Sequence, residues 1–505
     1  MSVPRRRWAL IAISLGVLAA GLSACGGSGA GAARPTPPLA PLLPARHGGT
    51  LRLVTAGSTI SLDPAFASSP AARRIAFVTC EPLLTYADQP GEGGRTIVPG
   101  LARDLPSVGK DGRSFTFALK AHVEFADGET VTPADVKATF ERLLDPKLHS
   151  PGAALFGDLK GLAAYRDGRA PAISGITISA GGVTFHLNAS GRSLLARVAS
   201  PYACPLPAGT PHRPIGALAW RNDATGPYRL STDTSGGLTL VRNERFSAGV
   251  LGPRGVADRI DVRLGLGPQG AIAAVADGSA DAVLDGPPGA VPPAPTGTRF
   301  FAAPSGGVSY LRIDAGWPPF DLPGVRQAVS LALDRRAIAR AAGPGAAIGT
   351  DALLPATMPS ARAASVGALS PDPLLARRLY LRAIAEAGEK GPFDITLRVC
   401  PGAVCAAQAA VVSDALQAVL GKRVPLVQGG DRPLELSWLH PQYADPAAVV
   451  EPIVAPDGLR SSTPPTPVPG DSALVRLTRH ADVLLGDART QGFDRVARRI
   501  AQRDD

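Results

Sequence analysis

Residues 123–140 read VEFADGETVTPADVKATF. Val123-Glu124-Phe125 runs into Asp127-Gly128, a hairpin-type turn. Thr132 is a good helix N-cap, and Pro133 suits the first helical position, where a missing N–H costs nothing. Val136, Phe140, Leu143 and Leu144 then give the helix one apolar face. Upstream, Ser114–Leu119 and Thr50–Thr55 read as strands, and Asp63-Pro64 marks a turn. Ala71–Tyr86 reads as a helix ending near Glu81-Pro82-Leu83-Leu84. Downstream, residues 173–178 and 183–187 form one expected hairpin, and 226–230 with 238–243 another.

Around these elements the composition sets limits. The 505 residues suggest roughly three domain-sized units at about 150 residues each. With 45% apolar and 19% charged residues, most of the chain can build a packed core, which excludes wholesale disorder. Gly and Pro are abundant, but no G-X-Y period exists, so collagen is excluded. Past the N-terminus there is no uninterrupted apolar run long enough for a membrane span, which excludes a multi-span protein. The net charge of +10 comes from scattered arginines, with only 7 lysines and 5% aromatics. No basic stripe interleaves with stacking rings, so a nucleic-acid partner is not expected.

The N-terminus gives an address. Arg5-Arg6-Arg7 precede an apolar stretch from Trp8 to Gly21, then Leu22-Ser23-Ala24-Cys25. This layout is that of a secretory signal, and Leu-Ser-Ala-Cys resembles a bacterial lipobox. That resemblance implies a signal peptide at 1–24, a diacylglyceryl group on Cys25, and cleavage before it. Residues 25–47, rich in Gly, Ser, Ala and Pro, then read as a flexible tether. Outside the cytoplasm the remaining Cys80, Cys204, Cys400 and Cys405 are compatible with disulfides. Cys400 and Cys405 would close a short Pro-Gly turn, leaving Cys80 for Cys204; four buried free thiols are the other reading. No CxxC occurs and the seven histidines are scattered, so no zinc site or other metal cofactor is expected.

A family resemblance emerges from the order of the motifs. GGTL (Gly48–Leu51), the following Asp-Pro, EPLL, DGRSFTFAL and the 123–140 run come first. ATGPYRL (Ala224–Leu230), LVRNERF, DGSADAVL (Asp277–Leu284), VRQAVSLALDRRAIA (Val325–Ala339) and PDPLLARRLYLRAIAEAG (Pro371–Gly388) follow. Together they resemble the extracytoplasmic solute-binding proteins of peptide and nickel ABC importers, the oligopeptide-binding family. The resemblance implies a mixed α/β, two-lobed clamp with discontinuous domains: 48–88 plus 215–305 as lobe I, 89–214 as an insert domain, and 306–505 as lobe II. It implies a peptide or peptide-like ligand buried between the lobes, a permease dimer with two ATPases as partner, a monomer at the extracytoplasmic membrane face, and no enzyme activity. Consistently, no GxSxG elbow, phosphate loop or HExxH is present. The GxGxxG run Gly265–Gly270 looks like a dinucleotide fingerprint, but such a match comes cheaply in a Gly-rich chain and its helix is short.

The resemblance also points to site residues. In Ser437-Trp438-Leu439-His440-Pro441-Gln442-Tyr443-Ala444-Asp445-Pro446, relatives have an Asp directly before the Tyr, paired with the peptide's ammonium. Here that position is Gln442, so ligand contacts are expected from Trp438, Gln442, Tyr443 and the neighbouring Asp445. Asp314 and Glu81 complete the expected ligand-binding set, and His440 alone speaks for nickel. Gln442 and a C-terminus that stops at Asp505, short of the family's closing strands, keep a second expectation open: a sensor or scaffold lipoprotein without transport.

Overall fold

A computed structural model describes residues 48–89, 93–216, 223–246, 255–285, 307–343, 349–350, 352–355, 358, 370–390, 393–430, 432–439, 441–454, 472–484 and 486–501. Cys25, the signal and tether segments, and His440 lie outside these residues. Thr50–Thr55 forms a strand as expected, and it lies between two parallel neighbours, Arg259–Arg263 and Ala282–Asp285. Gly237–Arg242 and Tyr228–Thr234 extend this five-stranded sheet as an antiparallel hairpin. Leu230, Leu240, Ile260 and Val262 meet Ala71, Ile75 and Ala76 of the helix Pro70–Thr79 in one core.

That helix stops earlier than the sequence reading places its end. Cys80 already has extended backbone (φ −131°, ψ 140°), and Leu84–Tyr86 is a strand paired with Ile97–Pro99. Pro82 explains this: it has no N–H for the helix, and it biases Glu81 away from helical backbone.

A second sheet contains Ser114–Ala118, Gly182–His186 and Ile176–Ser179, all antiparallel, with Ser107–Val108 at its edge. The helix Pro133–Leu144 covers it, fixed at its start by a reciprocal cap: Asp135 N–H donates to Thr132 Oγ1, and Thr132 N–H donates to Asp135 Oδ2 at 2.7 Å. Phe140 stacks edge-on against Phe156 and Phe185, at centroid distances of 4.9 and 4.8 Å. At the Asp127-Gly128 turn, Gly128 sits at φ +99°, a conformation that favours glycine.

A third sheet is built from the chain's later half, in the order 308–313, 434–439, 397–399, 426–427. Its core holds Val325, Val329, Leu397, Val412, Leu416, Leu434 and Leu436. The run Val325–Ala339 yields two helices, Pro323–Ala332 and Arg335–Ala341, because Asp334 accepts hydrogen bonds from the N–H groups of Arg336 and Ala337 and starts a new helix. Among the described residues, the helix Ala403–Leu420 alone is long and apolar enough to cross a membrane. Here its Ala409, Val412, Leu416 and Val419 are buried in the third sheet's core.

The chain thus leaves the first sheet after Asp285, joins the third at Val308, and leaves it again after Leu439. Beyond that point no further strand joins either sheet among the described residues. Tyr443, Val449, Val450, Leu474, Phe493 and Val496 join the core of the second sheet, beside Phe115 and Phe140. Leu354 and Met358 reach the same core from the third-sheet half. Of the expected 306–505 lobe, described residues between Phe320 and Leu436, apart from Leu354 and Met358, therefore share one core, whereas described residues between Tyr443 and Ala497 pack with residues 101–203.

Candidate functional site

The crossover after Leu439 is where the separate cores meet, and its polar side chains are contacted from several elements. Arg73, on the helix Pro70–Thr79, donates from Nη1 to Gln442 Oε1 at 3.2 Å. Tyr202, from the short 3-10 turn Pro201–Ala203, donates its hydroxyl to the same oxygen at 3.3 Å. Two residues on, the Ala444 N–H donates to Tyr86 Oη at 3.2 Å. Burial holds the Arg73 guanidinium below its ordinary pKa, with Tyr202 opposing and Arg74 adding to the effect. Burial also raises the Tyr202 hydroxyl, and the Arg73 charge tempers that rise.

A disulfide places Tyr202 beside that helix. Cys80 caps the helix C-terminus and bonds to Cys204, with Cα atoms 5.9 Å apart. The second bridge, Cys400–Cys405, has a Cα separation of 5.6 Å. Both spans suit the bond.

The other residues singled out in the sequence go elsewhere. Trp438 donates its indole N–H to Cys405 Sγ at 3.1 Å and packs on the third sheet's core. Asp314 accepts from the Gly316 N–H at 2.9 Å, a local turn. Glu81 is buried; its N–H donates to Thr225 Oγ1 at 2.9 Å, and a Cβ at Gly100 would stand 2.9 Å from its Oε1. Gly100 is thus a close-approach position.

Tyr443 and Asp445 belong to a buried ionic network. Arg489 grips Asp445 through both terminal nitrogens at 2.9 Å and reaches Asp482 Oδ1 at 2.6 Å. Asp482 accepts in turn from the N–H and hydroxyl of Ser193, both at 3.1 Å. Asp445 also accepts from the Ala447 N–H, which starts the helix Ala447–Val454. With its oxygens so occupied, Asp445 acts as a structural anchor. Tyr443 is buried, and its hydroxyl has no hydrogen-bond partner among the described residues. Burial drives its pKa up, and so do Glu451, Asp445 and Asp482, against Arg197.

Glu451 gives the network a pH dependence. Burial first, then Asp482, Asp158 and Asp445, push its carboxyl up to about 8, with Arg197 opposing. Its folded pKa thus exceeds its unfolded value near 4.3, so the folded state holds a proton that the unfolded state releases. The resulting stability is fully present below the unfolded pKa and is lost as pH rises through about 8. Glu451→Gln is therefore expected to gain thermal stability relative to the parent between pH 5 and 9. Melting curves across that range check it, and parallel profiles would refute it.

The sequence reading brought Gln442 to this junction but missed Arg73 and Tyr202. Neither stands in a motif. The Cys80–Cys204 pairing was the signal that could have drawn attention to both. No group of three or more His, Cys, Asp or Glu able to hold a metal ion occurs among the described residues.

Three sheets with separate cores, joined by crossovers, make the mixed α/β fold of solute-binding proteins. Residues 96–432 match the family described as bacterial extracellular solute-binding proteins, family 5, and the chain belongs to that family. The family is one of binding proteins, found outside the cell or in the periplasm. Among curated relatives, Protein XP55 of Streptomyces lividans is 30% identical over 135 residues, 27% of this chain and 22% of that protein. The periplasmic murein peptide-binding protein MppA of Escherichia coli is 40% identical over 76 residues, 15% of this chain and 14% of that one. The chain thus aligns with less than a quarter of these relatives' lengths. A solved structure titled clavulanic acid biosynthesis oligopeptide binding protein 2 superposes with a TM-score of 0.75 at 22% identity, covering 91% of this chain and 89% of that one.

Proposed function

We propose that this protein is the substrate-binding component of an ABC importer, capturing a peptide or peptide-like solute between its two lobes and passing it to a permease dimer driven by two ATPases. The observation that carries this reading is the crossover: polar side chains from two separate segments converge on Gln442 where the independently packed sheets meet. Ligand sites favour such junctions. Relatives named for binding murein peptide and oligopeptide support the solute class. On this reading lobe I comprises 48–88 and 215–305, with 89–214 inserted, and lobe II begins at 306. Cys25 carries the lipid that holds the receptor at the outer face of the membrane, and the receptor works as a monomer.

Such a protein performs no chemistry. Its work is a shift between open and closed states, and the ligand drives closure only by binding the closed state better. Native mass spectrometry of residues 26–505 from an export host, followed by denaturing release, tests the proposal. A set of bound masses resolving into short peptides is expected. An apo mass that persists after incubation with peptide mixtures would overturn it in favour of a sensor or scaffold.

A further inference from the structure

Arg73 is held differently from the arginines that fork onto buried carboxylates. Arg142 forks onto Asp63, Arg197 onto Asp158, and Arg489 onto Asp445 and Asp482. Arg73 is half-buried at the crossover, yet among the described residues no carboxylate forms an ion pair with it. Among the described residues its one side-chain hydrogen bond goes to a neutral amide oxygen that Tyr202 also shares, and the adjacent charge, Arg74, is of like sign. A guanidinium has five N–H donors, so most of those on Arg73 have no acceptor among the described residues. Withdrawing a cation from water without a counter-charge is costly. A ligand that brings an anion offsets that cost, and a guanidinium matches a carboxylate with two parallel hydrogen bonds.

We propose that Arg73 is the specificity-determining residue of this site, and that it selects ligands by a carboxylate and not by an ammonium group. The proposal rests on the solute-receptor reading above. Gln442 and Tyr202 act as its positioning residues, fixing the guanidinium with one nitrogen and leaving the others directed to the ligand.

Two libraries of the same tri- to pentapeptides separate the possibilities. One is N-acetylated with a free C-terminal carboxylate; the other has a free N-terminus and a C-terminal amide. Each is incubated with the protein, and retained masses are read by native mass spectrometry. The acetylated library is expected to be retained over the amidated one by on the order of 10- to 100-fold, the worth of a charge-assisted hydrogen bond. Arg73→Gln should abolish that preference, and Arg73→Lys should keep its direction at lower affinity. Preference for the amidated library, or equal retention of both, overturns the proposal while leaving the receptor reading intact. Equal loss of both libraries in Arg73→Gln, with an unchanged melting temperature, would make Arg73 a closure latch and also overturn it. Retention of neither library by the parent protein overturns the receptor reading and the proposal together. The parent comparison decides the question even if a variant fails to fold.

Discussion

Arg142→Met is expected to destabilise the protein by on the order of 3–5 kcal/mol, the cost of leaving a buried carboxylate without its cation. Arg142 and Asp63 are each 3% exposed in their side chains, and they meet through two nitrogens and two oxygens at 3.0 and 2.6 Å. Arg142 also donates to the carbonyls of Pro211 and Arg213, at 2.8 Å each. Asp63 in turn accepts from the N–H groups of Ala65 and Ile215, at 3.0 and 3.1 Å. One ion pair thus ties the Asp63-Pro64 turn, the helix Pro133–Leu144 and the 211–215 loop into a single node. Urea unfolding of the variant measures the loss. Asp63→Asn added to Arg142→Met should recover part of it, because the stranded charge disappears while an acceptor remains. A loss below about 1 kcal/mol, the size of an exposed pair, would sink the argument.

The second large effect concerns Cys80–Cys204. The bridge joins residues 124 apart in sequence. Closing a loop of that size in the unfolded chain removes about 4–5 kcal/mol of conformational freedom, if loop entropy is the governing cause. Cys400–Cys405 spans only 5 residues, and the same reasoning gives about 2 kcal/mol. Replacing Cys80 and Cys204 by alanine should therefore lower the denaturation midpoint by about twice as much as replacing the other pair. Unreduced peptide mapping should show the two cross-linked fragments. Four alkylatable thiols in the secreted protein would refute the pairing. Because the bridge also holds Tyr202 near the Pro70–Thr79 helix, its loss should weaken ligand binding as well as stability.

The parts of the fold legible in the sequence were those written locally. Thr132, Pro133 and Asp135 marked a helix start because an N-cap acts within one turn. Asp127-Gly128 marked a turn because Gly128 needs a positive φ. The hairpin strands followed from alternation, although the first begins at Ile176, not 173, since the Ile173 N–H is taken by Glu141 Oε1. Helix ends were less legible, as at Thr79 and Ala332, where Pro82 and the cap Asp334 outweighed apolar periodicity. At the site the limit was physical distance along the chain. Gln442 meets Arg73 across 369 residues and Tyr202 across 240. No spacing rule encodes such a meeting. Tyr443 and Asp445 drew attention for their chemistry, but their neighbours, Arg489 and Asp482, sit on helices that pack only once the fold is complete.

Phe493, Val496 and Ala497 lie in the same core as Phe115 and Phe140, and Asp482 reaches Ser193 across 289 residues. That closure has a consequence for folding. The core begun by residues 101–203 is completed only by side chains of the helix Gly486–Ala501. Contacts this remote in sequence form slowly. The stretch 101–203 therefore cannot complete its own core: it depends on the helix Gly486–Ala501, hundreds of residues further along the chain.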